Sequence, residues 1–99
     1  MIKILKLASI VFLSNTYIFL PFLEKNNIPF VFTLYPGGGF DLNNIETDHK
    51  LNEIFSSKLF RKVIVTQKIT YDYLIKNNLC SKDKIEFING GIILDNSNS

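Results

Sequence analysis

The segment 30–40, FVFTLYPGGGF, constrains the fold of this chain more than any other stretch. Its first half is apolar, aromatic and β-branched without polar alternation, which is typical of a strand buried on both faces of a parallel sheet. Pro36 and three glycines then end the strand, and glycine accepts either sign of φ. The segment therefore predicts an α/β domain with a central strand. The turn after it either faces a ligand or is a flexible turn without one.

Composition limits the size and chemistry of this domain. The 99 residues, 46% of them hydrophobic, are predicted to form one domain over residues 1–94 with a disordered polar tail at residues 95–99. The formal charge of +2 comes from 11 basic and 9 acidic residues without a basic block, which argues against nucleic-acid binding. The single cysteine and single histidine form neither a disulfide framework nor a zinc pattern. We therefore predict no metal and no cofactor.

Residues 7–23 are mostly apolar and allow two interpretations. One is a membrane segment, but hydroxyl and amide side chains and Pro21 interrupt the apolar run, and no small-residue cleavage site follows. The other, which we favour, is a buried strand at residues 8–13, a turn or helix cap at residues 14–16, and a short helix at residues 17–26.

Strand-like and helix-like segments continue to alternate along the chain. The next helix is predicted to be capped near Thr47 or Asp48, and the helix after it by Thr66 or Thr70. The remaining predicted elements are strands at residues 30–34, 62–66 and 84–88, and a helix at residues 69–77. This order predicts an α/β, Rossmann-like, mostly parallel sheet of about four strands flanked by helices.

The turns after the strands are the candidate ligand-facing positions. Because the carboxyl ends of parallel strands meet at one edge of a sheet, these turns should line one surface. They comprise Gly37, Gly38 and Gly39, then Thr66 and Gln67, then Asn89 and Gly90.

Two side chains with catalytic potential lie outside these turns. His49 is predicted to be a solvent-exposed helix residue, because spacing fixes no second ionisable partner near it. Cys80 is predicted to be an inert thiol in a loop. No catalytic residue is assigned.

Several segments together resemble the amino-terminal half of a two-domain glycosyltransferase of GT-B fold, closest to the retaining enzymes of glycosyltransferase family 4. TLYPGGGF resembles the family's His-Gly type turn after a central strand. KVIVTQ, followed by the helix-like ITYDYLIKNN, resembles its strand ending in Ser or Thr before a helix. DKIEFINGGI resembles the segment before the second domain, so the resemblance spans about residues 8–93.

The resemblance implies that this domain holds a saccharide or lipid-linked acceptor and that the glycine turn faces a sugar donor. Tyr35 stands where many members carry histidine, and its phenol can donate a hydrogen bond but accepts a proton poorly at neutral pH. The implied substrate-binding residues are Tyr35, Gly37, Gly38, Gly39, Thr66, Gln67, Asn89 and Gly90.

The sequence lacks a counterpart of the family's donor-binding domain. The resemblance therefore implies a partial GT-B amino-terminal domain, from a truncated or split enzyme that is inactive alone and needs a donor-binding domain on another chain. Such an enzyme would serve cell-surface polysaccharide biosynthesis in the cytoplasm or at the inner face of the membrane. An incomplete sheet is also expected to self-associate. The alternatives are a non-catalytic α/β binding module and a small membrane-associated protein.

Overall fold

The computed structural model describes residues 7–36 and 38–88. Three of the candidate residues, Gly37, Asn89 and Gly90, and the predicted tail lie outside this part of the chain. Within it, strands and helices alternate: β1 Ala8–Val11, α1 Leu13–Lys25, β2 Phe30–Leu34, α2 Ile45–Phe55, β3 Phe60–Val65, α3 Lys68–Lys76 and β4 Ile85–Phe87, the last preceded by a 3₁₀ turn at Lys82–Lys84.

The four strands form one parallel sheet in the order β1-β2-β3-β4. Phe32 in β2 lies between Ile10 of β1 and Val63 of β3 in the register. Each strand therefore pairs with the next strand of the chain, and a helix connects the two. The predicted α/β, Rossmann-like parallel sheet flanked by helices is confirmed.

The interpretation of residues 7–23 as strand plus helix is also confirmed, but both boundaries were wrong. β1 ends at Val11, and α1 begins at Leu13 rather than Tyr17. Phe12 between them has a φ of 77°. Its carbonyl accepts two hydrogen bonds from Thr16, one from the backbone N–H at 3.1 Å and one from the side-chain hydroxyl at 2.8 Å. The predicted turn is thus the first turn of the helix. Within residues 7–36 and 38–88, none of the helices has both the length and the apolar character that a membrane span requires.

The caps of the other two helices were also predicted at the wrong residues. α2 begins at Ile45, because the side chain of Asn44 accepts hydrogen bonds from the backbone N–H of Glu46 at 2.9 Å and of Thr47 at 3.2 Å. Gln67 occupies the N-cap position of α3 without a side-chain hydrogen bond to the helix. The observed β3, α3 and β4 otherwise lie within two residues of their predicted ends.

The core lies on one face of the sheet. All three helices contribute buried side chains to a single apolar cluster, together with alternate residues of β2, three residues of β3 and Ile85 of β4. In β2, Phe30, Phe32 and Leu34 are buried in this cluster, whereas Val31 and Thr33 point to the other side and are half-buried. We call these the covered face and the open face. The expectation that β2 is buried on both faces was therefore wrong for the described residues.

Candidate functional site

The turns after β2 and β3 meet at the carboxyl edge of the sheet. Leu34 pairs with Val65 in the register, so the residues that follow each strand, Tyr35 and Thr66, leave the sheet side by side. Gly38, Gly39 and Gln67 continue from these positions. The described candidates thus share one edge, as the alternation of elements predicts, while their role in binding stays a prediction.

The glycine turn packs directly against the start of α1. Gly38 and Gly39 have φ values of 55° and 92°, which disfavour residues with side chains. A Cβ at Gly38 would overlap the ring of Phe12, and one at Gly39 would overlap the hydroxyl of Ser14. The carbonyl of Gly38 also accepts a hydrogen bond of 3.0 Å from the backbone N–H of Ser14. Close packing therefore requires both glycines, whether or not a ligand binds beside them.

Tyr35 is part of the same packing unit. Its ring lies 5.6 Å from that of Phe12, centroid to centroid, with the planes tilted by 56°. The side chain is partly exposed, and its hydroxyl makes no hydrogen bond within residues 7–36 and 38–88. Tyr35 can therefore present a hydroxyl at the carboxyl edge from a ring that is fixed by an aromatic neighbour.

The residues after β3 offer a second polar group at this edge. Thr66 is half-buried, and Gln67 is exposed. The carbonyl of Gln67 accepts hydrogen bonds from the backbone N–H groups of Thr70 at 3.2 Å and Tyr71 at 3.1 Å, which fixes its backbone at the start of α3. Because the amide side chain does not cap the helix, both its donor and its acceptor can serve a ligand.

A shallow cleft of about 170 Å³ lies beside Gln67. Complete small-molecule sites usually enclose roughly 300 to 1,000 Å³, so this cleft is too small to hold a disaccharide alone. It contains neither Tyr35 nor Thr66, so only part of the candidate set lines it. The lining residues are Pro36, Phe40, Asp41, Leu42, Gln67, Ile69 and Thr70.

A polar cluster formed by Asn43, Asp48 and Tyr73 was not foreseen from the sequence. The Tyr73 hydroxyl donates to the Asp48 carboxylate, with oxygen distances of 2.7 and 2.9 Å, and accepts a 2.9 Å hydrogen bond from the backbone N–H of Asn43. Burial and the hydrogen bond to Asp48 raise the pKa of Tyr73, while the Asn43 N–H opposes this shift. The cluster holds the loop after the glycine turn against α3. No local pattern signals it, because Tyr73 is 25 residues from Asp48.

His49 lies on the exposed surface of α2, as predicted. Its Nε2 is 3.2 Å from the carboxylate of Glu53, with 69% and 44% of the two side chains exposed. This i,i+4 spacing was visible in the sequence, so the expectation that no ionisable partner lies near His49 was wrong. The neighbouring Glu53 carboxylate also raises the pKa of Tyr17 on α1. Because none of these residues lines the cleft at the carboxyl edge, His49 has no position from which to act there.

Cys80 is half-buried after α3, and burial raises the pKa of its thiol to about 11. The thiol is therefore protonated near neutral pH, which agrees with an inert side chain rather than a nucleophile. Within the described residues, no group of three or more His, Cys, Asp or Glu side chains is placed to hold a metal ion.

Searches of protein-family models, of curated proteins and of solved structures found no match to this chain.

Proposed function

We propose that this chain is the acceptor-binding half of a GT-B-type glycosyltransferase and that a separate donor-binding domain completes its site. The supporting observation is the small cleft beside Gln67, next to a turn that depends on glycine, at the carboxyl edge of a parallel sheet. A cleft of this size can form one wall of a site between two domains.

The chemistry of the cleft fits a saccharide better than a nucleotide diphosphate. Gln67 and Asp41 offer an amide and a carboxylate, which can hydrogen-bond sugar hydroxyls, and Ile69 offers an apolar surface that is 58% exposed. No lysine or arginine lines the cleft within the described residues, whereas stabilising a departing diphosphate needs positioned cations. The proposed role is therefore acceptor binding, without glycosyl transfer by this chain alone.

The location follows from the type of acceptor. We place the proposed complex in the cytoplasm, and at the inner face of the membrane if the acceptor is lipid-linked. The donor-binding domain would supply the diphosphate site and the remaining wall of the cleft.

Binding can be tested by NMR titration of the isotope-labelled chain with methyl glycosides and short oligosaccharides, with UDP as the donor-type probe. We expect a saccharide, but not UDP, to shift the backbone amides of Asp41, Gln67 and Thr70. Gln67→Ala should weaken saccharide binding about fivefold to tenfold, the loss expected for one hydrogen bond. Asn52→Ala, which removes an exposed amide outside this cleft, is the matched control.

Binding of UDP at these amides, or shifts that Gln67→Ala leaves unchanged, would contradict the acceptor role. The absence of any saccharide binding would favour the second candidate, a non-catalytic α/β module. One observation supports that candidate: packing against Phe12 and Ser14 already accounts for Gly38 and Gly39 without a ligand.

A further inference from the structure

The outer edge of β1 carries backbone groups without partners in the described part of the chain. The backbone N–H of Ala8 donates to Pro29 and that of Phe12 to Thr33, both at 2.9 Å. Because alternate residues of a strand point to opposite edges, the N–H and C=O groups of Ser9 point away from β2. Among the strands of residues 7–36 and 38–88, β1 is the terminal one, so these groups face outward.

Two phenylalanines on the adjacent flank of α1 are also exposed. Phe19 and Phe22 are 49% and 57% exposed, and their spacing places them on one side of the helix. Tyr17 faces α2, since the Lys50 amine lies 5.4 Å from its ring centre. Phe19 lies about 200° around the helix from Tyr17, so it faces away from α2, towards the β1 edge.

We propose that this edge surface, formed by Ser9, Phe19 and Phe22, binds a second copy of the chain. β1 pairs antiparallel with its copy across a two-fold axis at Ser9, and α1 packs on its copy above the joined strands. In this arrangement the two Ser9 residues exchange a pair of N–H···O bonds, as directly opposed residues of antiparallel strands do.

The spacing between the two helices fits this arrangement. α1 packs on both β1 and β2, so it lies above the gap between them, half a strand spacing from β1. The two-fold axis lies another half spacing beyond β1. The two helix axes are therefore about two strand spacings apart, roughly 9.6 Å, and packed helices lie about 8 to 10 Å apart.

The position of Phe19 along the strand direction also fits the proposed dimer. Ser9 precedes Phe12 by about 10 Å of extended strand. α1 runs antiparallel to β1 and rises about 1.5 Å per residue. It therefore reaches the position of Ser9, measured along the strand direction, about seven residues after Phe12. That residue is Phe19, which therefore meets its copy close to the two-fold axis.

Charge and area indicate a weak dimer. Residues 7–23 contain no charged side chain, so two copies meet there without like-charge repulsion. A half-exposed phenylalanine offers on the order of 100 Å², and with the strand edge each copy buries roughly 400 to 500 Å². The total of roughly 800 to 1,000 Å² is at the lower limit for a specific interface, so we expect a weak dimer with a dissociation constant in the micromolar range.

The Asn15 side chain limits how far the pairing extends. Its Nδ2 donates to the carbonyl of Val11 at 2.9 Å, which occupies the next outward acceptor along β1. The strand contact is therefore short and centred on Ser9. Such a contact forms a closed two-fold dimer and does not extend into a longer intermolecular sheet.

Sedimentation velocity over a wide concentration range tests the proposal. Phe19→Glu should weaken self-association at least about a hundredfold, because it places two carboxylates at the axis. Ile18→Glu is the matched control: Ile18 is the next residue on α1 and is 69% exposed, but it points away from the sheet. The control should leave the dissociation constant within about twofold of the unmodified chain.

A second variant tests the strand contact. Ser9→Pro removes the outward N–H, and proline is tolerated on an edge strand whose N–H faces solvent. It should abolish the dimer while circular dichroism stays unchanged. With Cys80 replaced by serine, Phe19→Cys should form an intermolecular disulfide on oxidation, and Ile18→Cys should not.

Three results would overturn the proposal: a monomer at every concentration, equal weakening by Phe19→Glu and Ile18→Glu, or a dimer that neither Phe19→Glu nor Ser9→Pro disturbs. The last result would place the contact elsewhere, for example on the open face. Ile64 pairs with Thr33 in the register and therefore lies on the open face, so sensitivity to Ile64→Glu would then identify that face.

Discussion

The two faces of β2 show how differently one apolar strand can be used. On the covered face, Phe30, Phe32 and Leu34 are completely buried under the helices. On the open face, Val31 and Thr33 come from the same apolar run but are only half-buried by their neighbours in the sheet. The comparison teaches that an unbroken apolar strand predicts a parallel sheet, but does not show that this chain covers both of its faces.

Valine-to-alanine substitutions on the two faces should give the largest difference. Val63 is completely buried on the covered face, and Val63→Ala should lower the free energy of unfolding by about 2 to 3 kcal/mol. Val31→Ala makes the same chemical change on the open face and should cost less than about 1 kcal/mol. Urea denaturation of both variants measures the difference. Equal losses would show that the open face is as well covered as the other.

Removing the Tyr73 hydroxyl tests a polar contact on the covered side. Tyr73→Phe leaves the Asn43 N–H and the Asp48 carboxylate without this partner, and should cost about 1 to 2 kcal/mol. Tyr71→Phe is the control, because the Tyr71 hydroxyl makes no hydrogen bond within the described residues. A loss in the control as large as that in Tyr73→Phe would contradict a specific role for the cluster.

The same contact predicts a pH dependence. The pKa of Tyr73 is raised in the folded state, so the protonated phenol favours folding. Its contribution should be complete below the ordinary tyrosine pKa near 10 and should disappear as the pH rises through the raised value. Urea denaturation between neutral pH and pH 11 should therefore show a smaller decline for Tyr73→Phe than for the unmodified chain.

A lysine at Thr33 tests whether the open face contacts solvent. The long side chain can extend its amine into water from a half-buried position, so Thr33→Lys should cost no more than about 1 kcal/mol. A loss of several kcal/mol, together with altered sedimentation, would mean that other residues or another chain cover this face.

The smallest expected effect concerns the ion pair on the open face. The Lys62 amine lies 3.4 Å from the Glu86 carboxylate, with 43% and 51% of the side chains exposed. Exposed pairs contribute little, so Lys62→Met should change the free energy of unfolding by less than about 0.5 kcal/mol. If Lys62→Met lowers the free energy of unfolding by more than this, and added salt does not reduce the loss, the result would argue against solvent exposure of this face.

The candidate site was predictable only in part. The order of strands and turns correctly brought the glycine turn, Thr66 and Gln67 to one edge, because parallel strands share their carboxyl ends. It did not reveal that Gly38 and Gly39 pack against Phe12 and Ser14. That contact joins segments more than twenty residues apart, which local patterns cannot detect.

Cap positions show the same limit at shorter range. Thr47 and Asn44 are both acceptable helix caps by residue type, so residue type alone does not decide between them. In the folded chain the Thr47 hydroxyl donates to the carbonyl of Asp41 at 2.9 Å, which leaves Asn44 to cap the helix. The geometry of the loop decided the cap.

The sequence by itself determined β2 at residues 30–34, the alternation of strands and helices, and thus a parallel α/β sheet. These features follow from residue patterns that act over a few neighbouring positions. Only the tertiary structure decided which face the helices cover and how Tyr73 joins Asp48 and Asn43. The reason is that these contacts depend on the packing of distant segments, and packing is settled only when the whole sheet has formed.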